Sequence, residues 1–350
     1  MSTPGGAGGL RFSVVVPTVD RGAAILPTLR SVVAQSEESW ELLVVSDGST
    51  DDTDDVVRAF AAGEPRCRLL RTARHGAPGG PRNVALRHAR GRYVAYLDHD
   101  DAFAPEHLEV LGGLLDDGAA WAFAGAERVA ADGTPGAGTT DLDLLWHPEL
   151  QLAGPVVEPS RVAHRRGVVE ALGGWWEDPR GLEDWDLWVR LADAGHRPAT
   201  STRRTVRLLD DTGTRRHRMG WSCTQLLARV ADAATAERAV AALTDEDRVA
   251  GTARAAHADL TAWYARIADD DAVVLPREGR PDVAALLRET VDAAPRPWRD
   301  VAVAPVGAGA ALVRTLPCAR RDHARRVVRL AARTQPAQLR VVRDAVAAAA

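Results

Sequence analysis

Three aspartates stand together where a strand must end. The apolar run Tyr93–Leu97 leads straight into Asp98, Asp100 and Asp101, and carboxylates so close repel one another unless a hard cation joins them. In open α/β sheets, ligands collect outside the carboxyl ends of strands. An Asp-x-Asp at that place suggests a divalent ion holding a phosphorylated ligand. Upstream, Arg82 and Asn83 open a helical pattern. Helix starts attract phosphate through free backbone N–H groups, and arginine adds a bidentate donor. Asn83 is the only asparagine of the chain, so background composition does not account for it. Downstream, Glu183 and Asp184 begin a helix whose Trp185, Trp188, Val189 and Leu191 share an apolar face. A carboxylate there can act as general base toward a hydroxyl, and the helix amino end favours its ionised form.

Each group also has a plainer reading. The aspartates could form a solvated turn or cap a helix before Pro105. Arg82–Asn83 could be a cap with an exposed arginine, and Glu183–Asp184 could simply complement the helix dipole. Asp47, in Ser46-Asp-Gly-Ser49, stands in a common turn sequence. Trp175 and Trp176 follow Gly173-Gly174; such a pair is either core or a platform for a sugar face. His217, within Arg215-Arg-His-Arg218, could be no more than an exposed histidine.

The elements that must position these residues alternate. Phe12–Pro17, Glu41–Val45, Arg68–Leu70 and Tyr93–Leu97 read as short buried strands, with helical patterns at Ala24–Gln35, Asp52–Ala62 and Arg82–Ala89 between them. That alternation predicts an α/β fold with a mixed, mostly parallel sheet and helices on both faces. A helix at Pro105–Leu115, a strand at Trp121–Val129, a Gly/Pro/Thr-rich loop over Asp132–Pro159, helices at Arg165–Leu172 and Glu183–Ala194 and a strand at Thr205–Leu209 follow. Three segments are expected: a flexible lead at 1–10, a catalytic domain at 11–220 and an Ala/Arg-rich helical region at 221–350.

Four motifs spread over residues 12–191 carry a family resemblance. Phe12-Ser-Val-Val-Val-Pro-Thr-Val-Asp-Arg21, Glu41-Leu-Leu-Val-Val-Ser-Asp-Gly-Ser-Thr-Asp-Asp-Thr53, Leu97-Asp-His-Asp-Asp101 and Leu182-Glu-Asp-Trp-Asp-Leu-Trp-Val-Arg-Leu191 resemble, in family order, the motifs of family-2 glycosyltransferases of the GT-A (Rossmann-like, nucleotide-binding) fold. The resemblance implies an inverting, metal-dependent transfer from a nucleotide sugar. It places Thr18, Asp20 and Asp47 at the nucleotide, Arg82 and Asn83 at the diphosphate, and Asp98 at the ribose or a metal-bound water. Asp100 would ligate Mn²⁺ or Mg²⁺, with His217 near the ion. Asp184 would be the base, Glu183 its support, and Trp175 and Trp176 candidates for the acceptor side. A UDP-sugar is the favoured donor, with dTDP and GDP open; the acceptor and the oligomeric state stay open too.

Composition narrows the alternatives. The chain of 350 residues has no lysine, so its 44 basic residues are all arginine. This excludes a phosphate-loop lysine and a Schiff-base lysine. It also weighs against a sugar-1-phosphate nucleotidyltransferase, a fold relative that would want a glycine-rich loop after the first strand and a lysine in the site. A catalytically silent nucleotide-sugar-binding or scaffold protein is the other alternative, and the intact Asp47, Asp100 and Asp184 speak against it. The net charge of −4 argues against bulk nucleic-acid binding. No apolar run reaches a membrane span, and the start has neither basic nor apolar signal character. With three scattered cysteines, a cytoplasmic location is expected.

Overall fold

The computed structural model describes residues 9–130, 132–154, 157–178, 182–210, 221–244, 246–279, 282–286 and 301–350. Along the first part run β1 (Phe12–Thr18), α1 (Leu26–Val33), β2 (Trp40–Asp47), α2 (Thr53–Gly63), β3 (Cys67–Thr72), α3 (Gly79–His88), β4 (Tyr93–Tyr96), β5 (Ala102–Phe103) and α4 (His107–Asp116). Then come β6 (Trp121–Ala130), β7 (Pro135–Gly138), α5 (Pro148–Ala153), β8 (Val162–Arg165), α6 (Val168–Ala171), α7 (Glu183–Asp193) and β9 (Pro198–Asp210). The described residues of 9–151, 157–210 and 274–279 form one compact unit, and those of 152–154, 221–273 and 282–350 form another.

The unbroken apolar runs of β1 and β2 are buried along their whole length, because strand geometry sends alternate side chains to opposite faces. Phe12, Val14, Val16, Leu42 and Val44 enter a core shared with Leu29 and Val32 of α1, Val57 of α2 and Leu108 and Leu111 of α4. Val15, Leu43 and Val45 enter a second core with Ala85 and Leu86 of α3 and Leu187, Trp188 and Leu191 of α7. In that second core Trp121 and Trp188 stack at 5.4 Å, and Trp175 meets Trp188 edge-on at 5.7 Å. This packing fixes the rotation of α7 about its axis, and so the direction of the acidic pair at its start.

The sheet runs β3-β2-β1-β4-β8-β6-β9-β5, with β7 against β6. The β3-β2-β1-β4 part is parallel, whereas β8 is antiparallel to both β4 and β6. The sheet is therefore mixed, as expected. Helix boundaries differ from the sequence reading: α3 begins at Gly79, and α6 covers only Val168–Ala171. The stretch read as the start of a helix at Arg165 closes β8 instead. Four residues, Val-Ala-His-Arg, are too few to show a strand period.

The carboxy-terminal region is not purely helical. It contains β10 (Trp221–Val230), α8 (Ala233–Thr244), α9 (Glu246–Ala268), β11 (Val301–Val306), β12 (Gly309–Cys318), α10 (Ala324–Thr334) and α11 (Pro336–Ala349). The strands form an antiparallel sheet in the order β10-β12-β11. Ala236, Ala239, Leu243, Leu312 and Val342 meet in its core. On β10, Cys223 and Gln225 turn inward while Ser222, Thr224 and Leu226 face out. The inward positions are not the usual aliphatic ones, so alternation was masked by an Ala/Arg/Leu-rich composition that reads as helix. Because β12 is the central strand, deletion of residues 312–350 should prevent this unit from folding. The expected result is loss of one calorimetric transition and falling solubility. A truncated protein with the full-length melting profile would contradict the arrangement.

Candidate active site

The strand order reverses beside β1: β2 and β3 lie to one side, β4 to the other. At such a switch point the loops leave in opposite directions and open a crevice at the carboxyl ends. Thr18, Asp47 and Asp98 lie at or just beyond the ends of β1, β2 and β4. Thr18 is buried and paired in register with Ser46, and its Oγ1 lies 3.2 Å from His99 Nδ1. The Thr28 hydroxyl donates to the carbonyls of His99 and Asp101 at 3.1 and 2.8 Å, which pins the acidic turn onto α1.

Asp47 accepts from the backbone N–H groups of His75 (2.8 Å) and Gly76 (3.1 Å) and lies 3.0 Å from His75 Nδ1. It thereby ties the loop before α3 to the end of β2. Asp20 has φ +45°, a left-handed conformation that aspartate tolerates better than most residues. Its carboxylate accepts from Thr50 N at 2.8 Å and from Arg74 at 2.9 Å; these bonds hold it below the usual carboxylate range.

The three aspartates after β4 separate into different environments. Asp101 is buried and structural: Ser160 donates to it at 2.5 Å and Leu209 N at 3.0 Å. Burial, then Asp98 and Asp100, push its pKa well up. Asp98 and Asp100 remain partly exposed, each facing an arginine. Asp100 meets Arg21 at 2.8 Å and Asp98 meets Arg82 at 2.7 Å.

Arg82 occupies a different place from the one its sequence context suggests. With α3 starting at Gly79, its N–H already bonds Pro78 O, at 2.9 Å, inside the helix. The guanidinium is 1% exposed. It donates to Asp98 at 2.7 Å and Glu183 at 3.0 Å and lies 4.4 Å over the Trp175 ring. Burial opposes the charge, but Asp98 and Glu183 outweigh it, and the pKa is raised. Arg82 is thus a buried bridge between strand end and α7. Asn83 is likewise engaged by protein groups. Its amide accepts from Trp175 N (2.7 Å) and donates to Trp175 O (2.8 Å) and Glu177 (2.7 Å), so it clamps the 173–177 loop. Trp175 is 2% exposed and donates through Nε1 to Tyr96 at 3.0 Å. Trp176 is partly exposed.

Close approach explains the Gly79–Gly80 pair. A Cβ on Gly79 would lie 2.0 Å from Trp176 O, and one on Gly80 would lie 2.2 Å from the His75 ring. The loop after β3 and the loop before α7 therefore close on α3 from two sides. α7 then starts after Leu182, whose φ of +62° is left-handed for a γ-branched residue. Such strain survives only where packing imposes it. Glu183 is buried and held by Arg82. Asp184 is partly exposed and accepts from Trp185 N at 2.7 Å. Loss of water around its carboxyl, and next the Glu183 charge, raise its pKa to about 7. Desolvation and a like charge thus work against the helix-end effect that favours the ionised form.

Asp98 and Asp100 supply only oxygen donors, which suit Mn²⁺ or Mg²⁺. Among the described residues no three His, Cys, Asp or Glu side chains converge as a ligand set. The donor set fits an ion of the Mg²⁺ type, which uses one or two carboxylates and completes its shell with water and substrate phosphate. His217 lies outside the described residues. Arg21, His75 and Ser160 are the partners that sequence reading left without a role. Arg21 closes the first quoted motif and could have been marked from its place there. Ser160 lies 59 residues from Asp101, and no local signal joins them.

Residues 13–168 match the family model described as Glycosyl transferase family 2. The chain is 36% identical over 124 residues to the putative teichuronic acid biosynthesis glycosyltransferase TuaG of Bacillus subtilis, covering 35% of this chain and 49% of that one. It is 36% identical over 98 residues to the UDP-Glc:alpha-D-GlcNAc-diphosphoundecaprenol beta-1,3-glucosyltransferase WfgD of Escherichia coli, covering 28% and 38%. The chain thus spans half or less of these curated relatives' lengths. Its fold is similar to that of S. aureus TarS 1–349 in a crystal structure with UDP-GlcNAc, at a TM-score of 0.51 and 21% identity over 61% of this chain and 62% of that one. No helix among the described residues is long and apolar enough to cross a membrane.

Proposed function

We propose that this chain, whose residues 13–168 belong to glycosyl transferase family 2, transfers a sugar from a nucleoside diphosphate to a hydroxyl acceptor with inversion. The observation that carries this reading is the buried guanidinium of Arg82, joining Asp98 at the end of β4 to Glu183 at the start of α7. It brings the candidate base beside the strand-end carboxylates, and those are the two halves such a reaction needs.

Thr18, Asp20 and Asp47 would border the nucleotide. The Asp47 carboxylate, already taking two backbone N–H groups, keeps lone pairs for a base-ring N–H. Asp98 and Asp100 would hold the ion, and when bound that ion neutralises charge on the diphosphate. Asp184, whose second oxygen has no protein partner among the described residues, takes the proton from the acceptor hydroxyl. Glu183 cannot do so while Arg82 holds it. Trp176 is the remaining ring for a sugar face. The sequence of the WfgD relative and its UDP-Glc donor favour UDP here. The nucleotidyltransferase alternative finds no lysine.

A thermal-shift screen of UDP-, dTDP- and GDP-sugars, with and without Mn²⁺, tests the donor. Binding to the folded state raises the melting temperature by mass action, and the reading requires a metal-dependent rise with at least one nucleotide sugar. In Asp100→Ala that metal dependence should vanish while the melting temperature without ligand stays near that of the parent, since Asp100 is partly exposed and paired only at the surface. Unchanged metal-dependent binding would remove Asp100 from the ion.

A further inference from the structure

The unit containing β10–β12 carries a groove that the proposed transfer does not use. It is an open groove of about 490 Å³, and its lining includes Ser222 and Thr224 of β10, Arg321 before α10, and Arg325, Val328 and Arg329 of α10. That volume lies in the range of small-molecule sites. Local structure places each group. β10 is an edge strand, and its alternation sends Ser222 and Thr224 outward. Positions 325, 328 and 329 share one side of α10, with 321 a turn earlier, while Val327, Leu330 and Ala331 are buried. The Arg321 guanidinium rests 4.6 Å from the centre of the Trp221 ring, which restrains it.

No acidic side chain lines the groove. The nearest in sequence, Asp322, pairs with Arg320 at 3.0 Å. Among the described residues Arg321, Arg325 and Arg329 have no ion pair or hydrogen-bond partner. Three forked cations and two hydroxyls border one concavity beside the apolar Cys223, Ala324 and Val328, and the mutual repulsion of the cations falls when an anion enters. Guanidinium forks match phosphoryl oxygens in geometry, and three of them exceed what one phosphoryl group can engage. We propose that this groove binds a diphosphate group, independently of the donor site at the end of the large sheet.

Full-length protein would be titrated calorimetrically with inorganic pyrophosphate in EDTA, at an ionic strength where distant charges are screened. Saturable binding is expected. It should weaken about tenfold or more in Arg325→Ala/Arg329→Ala, through loss of charge-assisted bonds. It should stay within about twofold in the charge-matched Arg340→Ala/Arg343→Ala, because those arginines lie outside the groove. Asp100→Ala should leave it intact, which separates this site from the donor site. All four arginines are exposed, and circular dichroism would verify that both variants fold. Flotation with phosphatidylcholine vesicles, with and without an anionic phospholipid, identifies the source. Arginine-dependent vesicle binding points to a lipid headgroup, and pyrophosphate binding without it to a soluble compound; both support the site. Absence of saturable pyrophosphate binding, or equal loss in the two double variants, overturns it.

Discussion

Replacing Asp184 with Asn should lower turnover by about 100-fold or more while leaving donor affinity within a few-fold. Asn keeps the size of the side chain and an oxygen that can accept from Trp185 N, as Asp184 does now at 2.7 Å. What it loses is the ability to take a proton. Single-turnover rates and donor affinity measured side by side separate the two effects. Survival of turnover within a few-fold would reduce Asp184 to a helix-cap residue, and Glu183→Gln would be the next variant. The pH profile gives an independent reading. With the Asp184 pKa raised to about 7, kcat/KM should fall about tenfold per unit below that pH, because only the ionised form accepts the proton, and level off above it. The same shift has a stability consequence of opposite direction. Asp184 holds its proton more tightly in the folded protein than at the ordinary value of 3.8, so its contribution to stability falls as pH rises from 3.8 toward 7. Asp184→Asn should therefore melt no lower than the parent at pH 8, and that outcome would separate lost chemistry from lost folding.

How much of this site was legible in the sequence depends on the range of the interactions. Strand ends carrying Asp47 and Asp98 follow from short apolar runs closed by acidic turns, a local signal. The apolar face of α7 follows from the spacing of Trp185, Trp188 and Leu191. The fates of Arg82, Asn83 and Trp175 do not, because each is decided by a partner far along the chain. Asn83 meets Trp175 across 92 positions and Arg82 meets Glu183 across 101. A sequence shows that an Arg-Asn pair is polar and near a helix start; it does not show whether protein or ligand supplies the partner. The upward shift at Asp184 is not legible in the sequence for the same reason. Helix position is local, but desolvation is set by whatever folds over the carboxyl. The strands of the second unit were missed on composition: β10 turns Cys223 and Gln225 inward, where a recognisable strand would turn valine or isoleucine.

The buried bridge makes Arg82 the residue whose loss should disturb most at once. Arg82→Met fills comparable space but leaves Asp98 and Glu183 facing each other without the cation between them. Removing one partner from a buried ion pair typically costs about 3–5 kcal/mol, so a shift of that size in urea unfolding of the large unit is expected. Adding Glu183→Gln to Arg82→Met should recover part of the loss, since the uncompensated charge is what destabilises, and residues sharing one network do not contribute additively. Arg82→Lys distinguishes positioning from mere charge. A lysine keeps the cation but has no planar fork to reach Asp98 and Glu183 together, so it should retain more stability than Met yet lose turnover with little change in donor KM. The titration of Asp184 supplies a readout that a purely structural role would not move. Arg82 lowers that pKa against the larger upward effects of desolvation and Glu183, so in folded Arg82→Met the acid limb of kcat/KM should shift to higher pH. Wild-type stability and an unmoved acid limb in Arg82→Met would show that the guanidinium does not couple strand end to helix, and the link between the strand-end carboxylates and the proposed base would have to be sought elsewhere.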